Sequence, residues 1–265
     1  MFPKKSLGQN FLKNESVARD LVDSLEIKNT DTVLEVGPGR GAITRILLQK
    51  TKRVVAVEKD ADLVALLKNK FAEEIRKGAF QLICGDILEF SPHDWELETG
   101  NWKLIGAIPY YITGQLIRKF LGVGAPPKTI ALIIQKEVAE RIVAKNGKES
   151  ILSISVKVYG EPHYIKTVKA GSFYPAPKVD SAILVIKNIS KDFFKTIEEE
   201  EFFKLLKAGF ASRRKKLTTN LKKHFPKTDL PRVLKNIEIS PNVRAEDLTR
   251  GAWRKLYVAL QELSE

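Results

Sequence analysis

The chain has one cysteine, Cys84, so no internal disulfide can form. Cys84 ends the apolar run Phe80–Cys84 and is expected to be a small buried residue. Histidine is scarce: His93, His163 and His224 lie far apart without metal-ligand spacing, and no metal site is expected. No apolar run approaches the roughly 20 residues that a membrane span needs. Lys4 and Lys5 are followed by no apolar segment, so no secretory signal is expected and the expected location is cytoplasmic. Internal repeats and low-complexity linkers are also missing.

Positive charge is in excess. Forty-five Lys and Arg against 32 Asp and Glu give a net charge of +13. Such a surface draws polyanions, nucleic acid first and anionic membrane second. Between Phe202 and Thr228 there is no acidic residue, while Lys204, Lys207, Arg213, Arg214, Lys215, Lys216, Lys222 and Lys223 all fall there, with Lys227 at the edge. A merely solvated helix face mixes both signs; a one-sign run neutralises phosphates and releases counterions. Arg213–Lys216 is the densest part. The basic arm over residues 1–13, with Lys4 and Lys5, is a second candidate contact.

At 265 residues, 43% hydrophobic and 29% charged, the chain is long enough for one large core and a small appended domain. After the arm, a helix is expected with Val17, Leu21, Val22 and Leu25 on one face. Strands are expected at Thr32–Val36, Arg53–Val57, Phe80–Cys84, Lys103–Gly106 and Thr129–Ile134, with helices between them, Asp60 capping one and Thr113 another. Ser150–Tyr159 reads equally as helix or strand. Tyr164–Val168 and Ala182–Ile186 read as further strands around a proline-rich loop at Phe173–Pro177. The alternation predicts an α/β fold with a mostly parallel sheet covered on both faces, its ligand edge at the strands' carboxyl ends. After about residue 189 the pattern is helical and basic. The expected domains are 1–188, carrying the sheet, and 189–265, all-helical and RNA-binding.

Three features fall at the ends of successive strands. Glu35-Val36-Gly37-Pro38-Gly39-Arg40-Gly41 follows a strand and opens a helix, where Gly37 and Gly39 let the backbone turn sharply and approach a ligand. Its spacing is G-x-G-x-G, not that of dinucleotide binders, and nothing nearby resembles a pyrophosphate site. Glu58, at the end of the second of these strands, can accept hydrogen bonds from both ribose hydroxyls of an adenosine. Asp86, after the third, can accept from an adenine amino group, or it can be an ordinary helix cap.

Four stretches together resemble the ribosomal RNA adenine dimethyltransferase family: Lys5–Leu12, the glycine turn with Glu58 and Asp86, Ile108-Pro109-Tyr110-Tyr111-Ile112-Thr113, and Phe173–Ser181. Phe210-Ala211-Ser212-Arg213-Arg214-Lys215 is similar to the branch acting on small-subunit RNA more than to the Erm type. The resemblance implies a Rossmann-like methyltransferase sheet using S-adenosyl-L-methionine, which Asn10, Leu12, Gly37, Glu58 and Asp86 would contact. Ile108, Pro109 and Tyr110 would form the target-base site, with Tyr110 stacking on a flipped adenine. It further implies N6,N6-dimethylation of adenosines in small-subunit (16S) ribosomal RNA, a part in ribosome biogenesis, and the small ribosomal subunit as partner of an expected monomer.

One position departs from the family pattern. Where the family has asparagine before its hydrophobic-Pro-aromatic triplet, this chain has Ala107. An asparagine oxygen would accept a hydrogen from the target amine, and alanine cannot. Such a loss typically lowers a rate by roughly 10²–10³-fold. The Ile108 carbonyl remains as an acceptor, and the backbone at Ala107 sits where it can touch the cofactor. Ala107 leaves open an inactivated variant, one that compensates elsewhere, and a non-catalytic ribosome assembly factor. An Erm-type large-subunit enzyme is a further alternative. A DNA adenine methyltransferase is less expected, because no target-recognition domain of the usual size is read in the sequence.

Overall fold

The computed structural model describes residues 3–4, 7–93, 97 and 102–263; Lys5, expected at RNA, lies outside them. In chain order the elements are β1 (Phe11–Leu12), α1 (Glu15–Asp23), β2 (Thr32–Val36), α2 (Ala42–Lys50), β3 (Arg53–Glu58), α3 (Ala61–Lys70), α4 (Ala72–Arg76), β4 (Phe80–Cys84), β5 (Trp102–Ala107), α5 (Thr113–Gly122), β6 (Thr129–Gln135), α6 (Lys136–Val143), α7 (Ile151–Lys157), β7 (Glu161–Val168), β8 (Phe173–Tyr174) and β9 (Ser181–Lys187). Helices α8 (Glu199–Gly209), α9 (Leu217–Leu221), α10 (Leu230–Asn236) and α11 (Arg250–Gln261) follow. Two compact units emerge: Met1–Ala139 with Gly160–Ile189, and Glu140–Tyr159 with Ser190–Glu265. Residues 140–159 thus group with the C-terminal helices.

The sheet unit holds seven strands in the order β4-β3-β2-β5-β6-β9-β7. β4, β3, β2, β5 and β6 pair in parallel, while β9 is antiparallel to both β6 and β7. Continuous apolar runs suit the central strands because both faces are buried. On one face Val33, Val54, Ala56, Ile105 and Ile133 pack with Leu21 of α1 and Ile46 and Leu47 of α2. The alternate residues Leu34, Val55, Leu104 and Leu132 are equally buried. Trp102 meets Phe120 of α5 edge to face, with ring centroids 6.0 Å apart.

Three sequence expectations need correction. Cys84 is exposed, because it ends β4, the outermost strand of the sheet. Thr113 is no cap: it is the buried first residue of α5, which follows a short 3₁₀ turn at Tyr110–Ile112. The loop expected at Phe173–Pro177 begins with β8, which pairs antiparallel with β1, Phe11 opposite Tyr174. The ambiguous segment resolves as α7, since Ser150 and Ser153 form a reciprocal capping box at its start. Asp60 caps α3 as expected, accepting from the Asp62 N–H.

In the helical unit, Phe202, Leu206, Leu217, Trp253 and Leu256 form a buried core. Gly209 is required there, because a Cβ would lie 2.3 Å from Trp253 Cη2. Among the described residues no helix is long and apolar enough to cross a membrane, and no cluster of His, Cys, Asp and Glu could hold a metal.

Candidate functional site

β2 connects outward through α2 to β3, whereas β5, its other neighbour, connects away through α5 to β6. A switch of this kind opens a crevice at the strands' carboxyl ends. A cleft lies there, and its walls include Asn10, Leu12, Gly37, Gly39, Glu58, Asp86, Ala107, Ile108, Pro109 and Tyr110. The structure therefore brings together every residue that the sequence suggested for cofactor and base.

The glycine turn is fixed by its backbone. Gly37, Gly39 and Gly41 have φ of 63°, 57° and 76°, a region that disfavours side chains. The Gly37 N–H donates to the Val57 carbonyl at 2.9 Å and the Gly41 N–H to the Pro38 carbonyl at 2.8 Å. A Cβ on Gly41 would lie 2.6 Å from Phe71, whereas one on Gly37 would meet nothing within 4 Å. The turn is thus tight on its helix side and open toward the cleft.

Glu58 is buried at the end of β3. Its Oε2 accepts from the Gly39 N–H and its Oε1 from the Asp60 N–H, both at 3.0 Å. Burial raises its pKa above the usual carboxylate range, against the pull of those bonds. Beneath the turn, Glu35 is fully buried and burial pushes its pKa up to about 8. The Thr44 hydroxyl donates to its Oε2 at 2.7 Å, and Oε1 has no hydrogen-bond partner. Asp86 contrasts with both. The Lys59 ammonium, 2.7 Å away, and the Leu88 N–H at 2.9 Å hold its pKa below the ordinary value, so it stays an ionised acceptor.

Ala107 ends β5, and Ile108 beside it is buried. Tyr110 is half-buried; its hydroxyl lies 2.7 Å from Ser181 Oγ, which fixes the ring, and burial raises its pKa. The arm closes another wall. Gln9 donates to Asp60 at 2.8 Å, and the Lys4 ammonium bridges Asp60 and Asp62 at 2.6 and 2.7 Å. Lys4, expected at phosphate, is thus paired with carboxylates. Sequence reading passed over Phe11 and Phe173, which complete the cleft wall. The Arg40 guanidinium carbon stands 4.7 Å from the Phe11 ring centroid. Both aromatics lay inside stretches already singled out, but their pairing across β1 and β8 is non-local.

In the helical unit, Arg213, Arg214, Lys215 and Lys216 are exposed on the turn between α8 and α9, and Lys222 and Lys223 are exposed after α9. The buried Asn220 amide pins the turn, donating to the Gly209 carbonyl at 2.6 Å and the Ser212 carbonyl at 3.0 Å. Lys216 reaches Asn242 at 2.7 Å. Lys204 is paired with Glu200 and Glu201, so that end of the basic run is of mixed sign.

Residues 3–262 match the model of the ribosomal RNA adenine dimethylase family. Ribosomal RNA small subunit methyltransferase A of Dehalococcoides mccartyi (strain CBDB1) is 40% identical over 96% of this chain and 87% of its own length. The protein of that name from Fusobacterium nucleatum subsp. nucleatum is 38% identical over 93% of each chain. Among solved structures, a dimethyladenosine transferase from Plasmodium falciparum superposes with a TM-score of 0.82 at 26% identity, over 96% of this chain and 98% of that one. The 23S rRNA methyltransferase ErmE gives a TM-score of 0.79 at 23% identity, over 95% of this chain and 100% of that one, a likeness of fold. The Rossmann-like methyltransferase sheet is therefore the fold of this chain.

Proposed function

This chain belongs to the ribosomal RNA adenine dimethylase family, and from that membership we propose that it transfers methyl groups from S-adenosyl-L-methionine to N6 of adenosines in small-subunit ribosomal RNA, giving N6,N6-dimethyladenosine. The observation that carries this reading is the convergence of the glycine turn, two strand-end carboxylates and the Pro109–Tyr110 pair on one cleft.

The residues present fit the cofactor. Open space where a Cβ on Gly37 or Gly85 would stand leaves room against the backbone. A carboxylate offers about four acceptor directions. Glu58 accepts from the backbone at Gly39 and Asp60, with a further backbone contribution from Lys59, which immobilises the carboxylate that would face the ribose hydroxyls. Asp86, ionised, would take the adenine amino group, and Asn10 and Leu12 would cover the cofactor from the arm. When bound, S-adenosylmethionine supplies an electrophilic sulfonium methyl.

The chain's own part is positioning. Adenine N6 is a poor nucleophile because its lone pair is delocalised into the ring. A hydrogen held by the Ile108 carbonyl favours a pyramidal nitrogen with the lone pair free, while Tyr110 stacks on the base. Arg213–Lys216, Lys222 and Lys223 would neutralise RNA phosphates.

Incubation with labelled S-adenosylmethionine and undermethylated small ribosomal subunits, followed by mass spectrometry of the RNA nucleosides, tests the reading. N6,N6-dimethyladenosine is the expected product. A protein that binds cofactor yet labels no adenine would defeat the proposal.

A further inference from the structure

The two adjacent tyrosines after Pro109 have opposite environments. Tyr110 is half-buried and bonded to Ser181, whereas Tyr111 is 65% exposed. The 3₁₀ turn at Tyr110–Ile112 explains the divergence, since three residues per turn send successive side chains about 120° apart. Ile112 points into the core and is buried, which leaves Tyr111 facing water. The turn is held by the Ile112 N–H donating to the Pro109 carbonyl at 3.2 Å, and the Thr113 N–H donates back to the Tyr110 carbonyl.

Tyr111 is also placed. It lines the cleft beside Pro109. The Gly8 backbone of the arm abuts its ring: a Cβ there would lie 3.2 Å from Tyr111 Cε1 and 3.4 Å from Pro109 Cβ. The Cδ1–Cε1 side of the ring is therefore supported, and most of the residue is open to solvent. Among the described residues of this unit Tyr174, 52% exposed, is the other large open aromatic, but it is Phe173 beside it that lines the cleft.

We propose that Tyr111 is a stacking platform for a nucleotide next to the target adenosine, a role that rests on the RNA-methylating reading above. Extruding a base leaves its neighbours unstacked. A supported, solvent-facing ring beside the base site re-covers one of them, and stacking of this kind is tolerant of sequence because every base has a π-face. Tyr110 thus takes the reacting base and Tyr111 its neighbour, which sets the path of the strand into the cleft.

The test uses full-length wild-type protein and the variants Tyr111→Ala, Tyr111→Phe and Tyr111→Trp. It measures affinity for fluorescently labelled undermethylated small-subunit RNA, KM and kcat on undermethylated subunits, and cofactor affinity by calorimetry. Tyr111→Ala is expected to raise the RNA Kd and the KM by roughly tenfold while cofactor affinity stays at the wild-type value. Phe and Trp keep the ring and are expected to bind as wild type does. An unchanged RNA Kd in Tyr111→Ala overturns the assignment, as does a Phe variant that fails as badly as Ala, or a parallel loss of cofactor binding. Wild-type protein that does not bind the RNA overturns the proposed function as well, which separates the two failures.

Discussion

The glycine turn of the sheet unit and the Arg213–Lys216 turn of the helical unit are both short connections between regular elements, built by opposite means. In the first, Gly37, Gly39 and Gly41 each have a fixed backbone N–H partner, and no side chain of the turn needs to move. In the second the backbone is pinned by Asn220, by the Lys215 N–H donating to the Ser212 carbonyl and by the Leu217 N–H donating to the Val243 carbonyl at 2.9 Å, while the cationic side chains are exposed, with Lys216 reaching Asn242. A small ligand is recognised by where atoms are; a polyanion is recognised by how much charge is near. The first kind of site fails when one group is lost, and the second weakens by degrees.

Glu58→Ala should therefore have the largest effect. It removes the proposed ribose acceptor and strands the Gly39 and Asp60 N–H groups, for a loss of cofactor affinity of about 10³-fold by calorimetry, at two charge-assisted hydrogen bonds of ~1.5–3 kcal/mol each. Near-wild-type binding would break the contrast on its rigid side. Ala107→Asn sharpens that side from the opposite direction. Restoring the second amine acceptor should raise single-turnover methyl transfer by about 10²-fold. The first transfer should gain more than the second, because a monomethylated amine keeps one hydrogen and the Ile108 carbonyl already suits it.

On the diffuse side, replacing Arg213, Arg214, Lys215 and Lys216 together by Ala should weaken RNA binding by roughly tenfold at physiological salt. It should also flatten the slope of log K against log salt by roughly 3, with cofactor affinity unchanged. Single replacements should each cost only about twofold; one that abolished binding would make this turn a second rigid site.

The remaining effect concerns Glu35 and is read through pH. Its folded pKa of about 8 lies above the ordinary value of 4.5. Between these two values the folded chain holds a proton that the unfolded chain has released. This group therefore makes stability fall as pH rises, by at most about 1.4 kcal/mol per unit, and its slope vanishes above the folded pKa. Urea unfolding from pH 6 to 9 should show that decline in the wild type and a flatter curve in Glu35→Gln. Equal slopes would mean that Glu35 carries no such proton.

The sequence made the site more legible than the fold around it. Gly37, Glu58, Asp86 and Pro109 all follow strands whose apolar runs are unmistakable, and parallel pairing is enough to gather them at one edge. Strand direction was not legible: β9 is as apolar as β6, and nothing in Ser181–Lys187 announces that it runs the other way and separates β6 from β7. Cys84 looked buried because edge position depends on sheet order, which a local run does not encode. Lys4 looked free for phosphate because its partners Asp60 and Asp62 are more than fifty residues away. Ser150–Tyr159 fitted either period, and a side-chain cap decided it.

Pairing Phe11–Leu12 with Phe173–Tyr174 clasps the chain into a ring that embraces nearly the whole sheet unit. The clasp does not stand alone: the Lys13 and Asn14 N–H groups donate to the Ser172 carbonyl beside it, and Phe173 packs into the core of the sheet unit. The aromatic wall of the cleft is therefore held from two distant stretches of the chain at once, and loosening either the arm or the segment before β9 would open it.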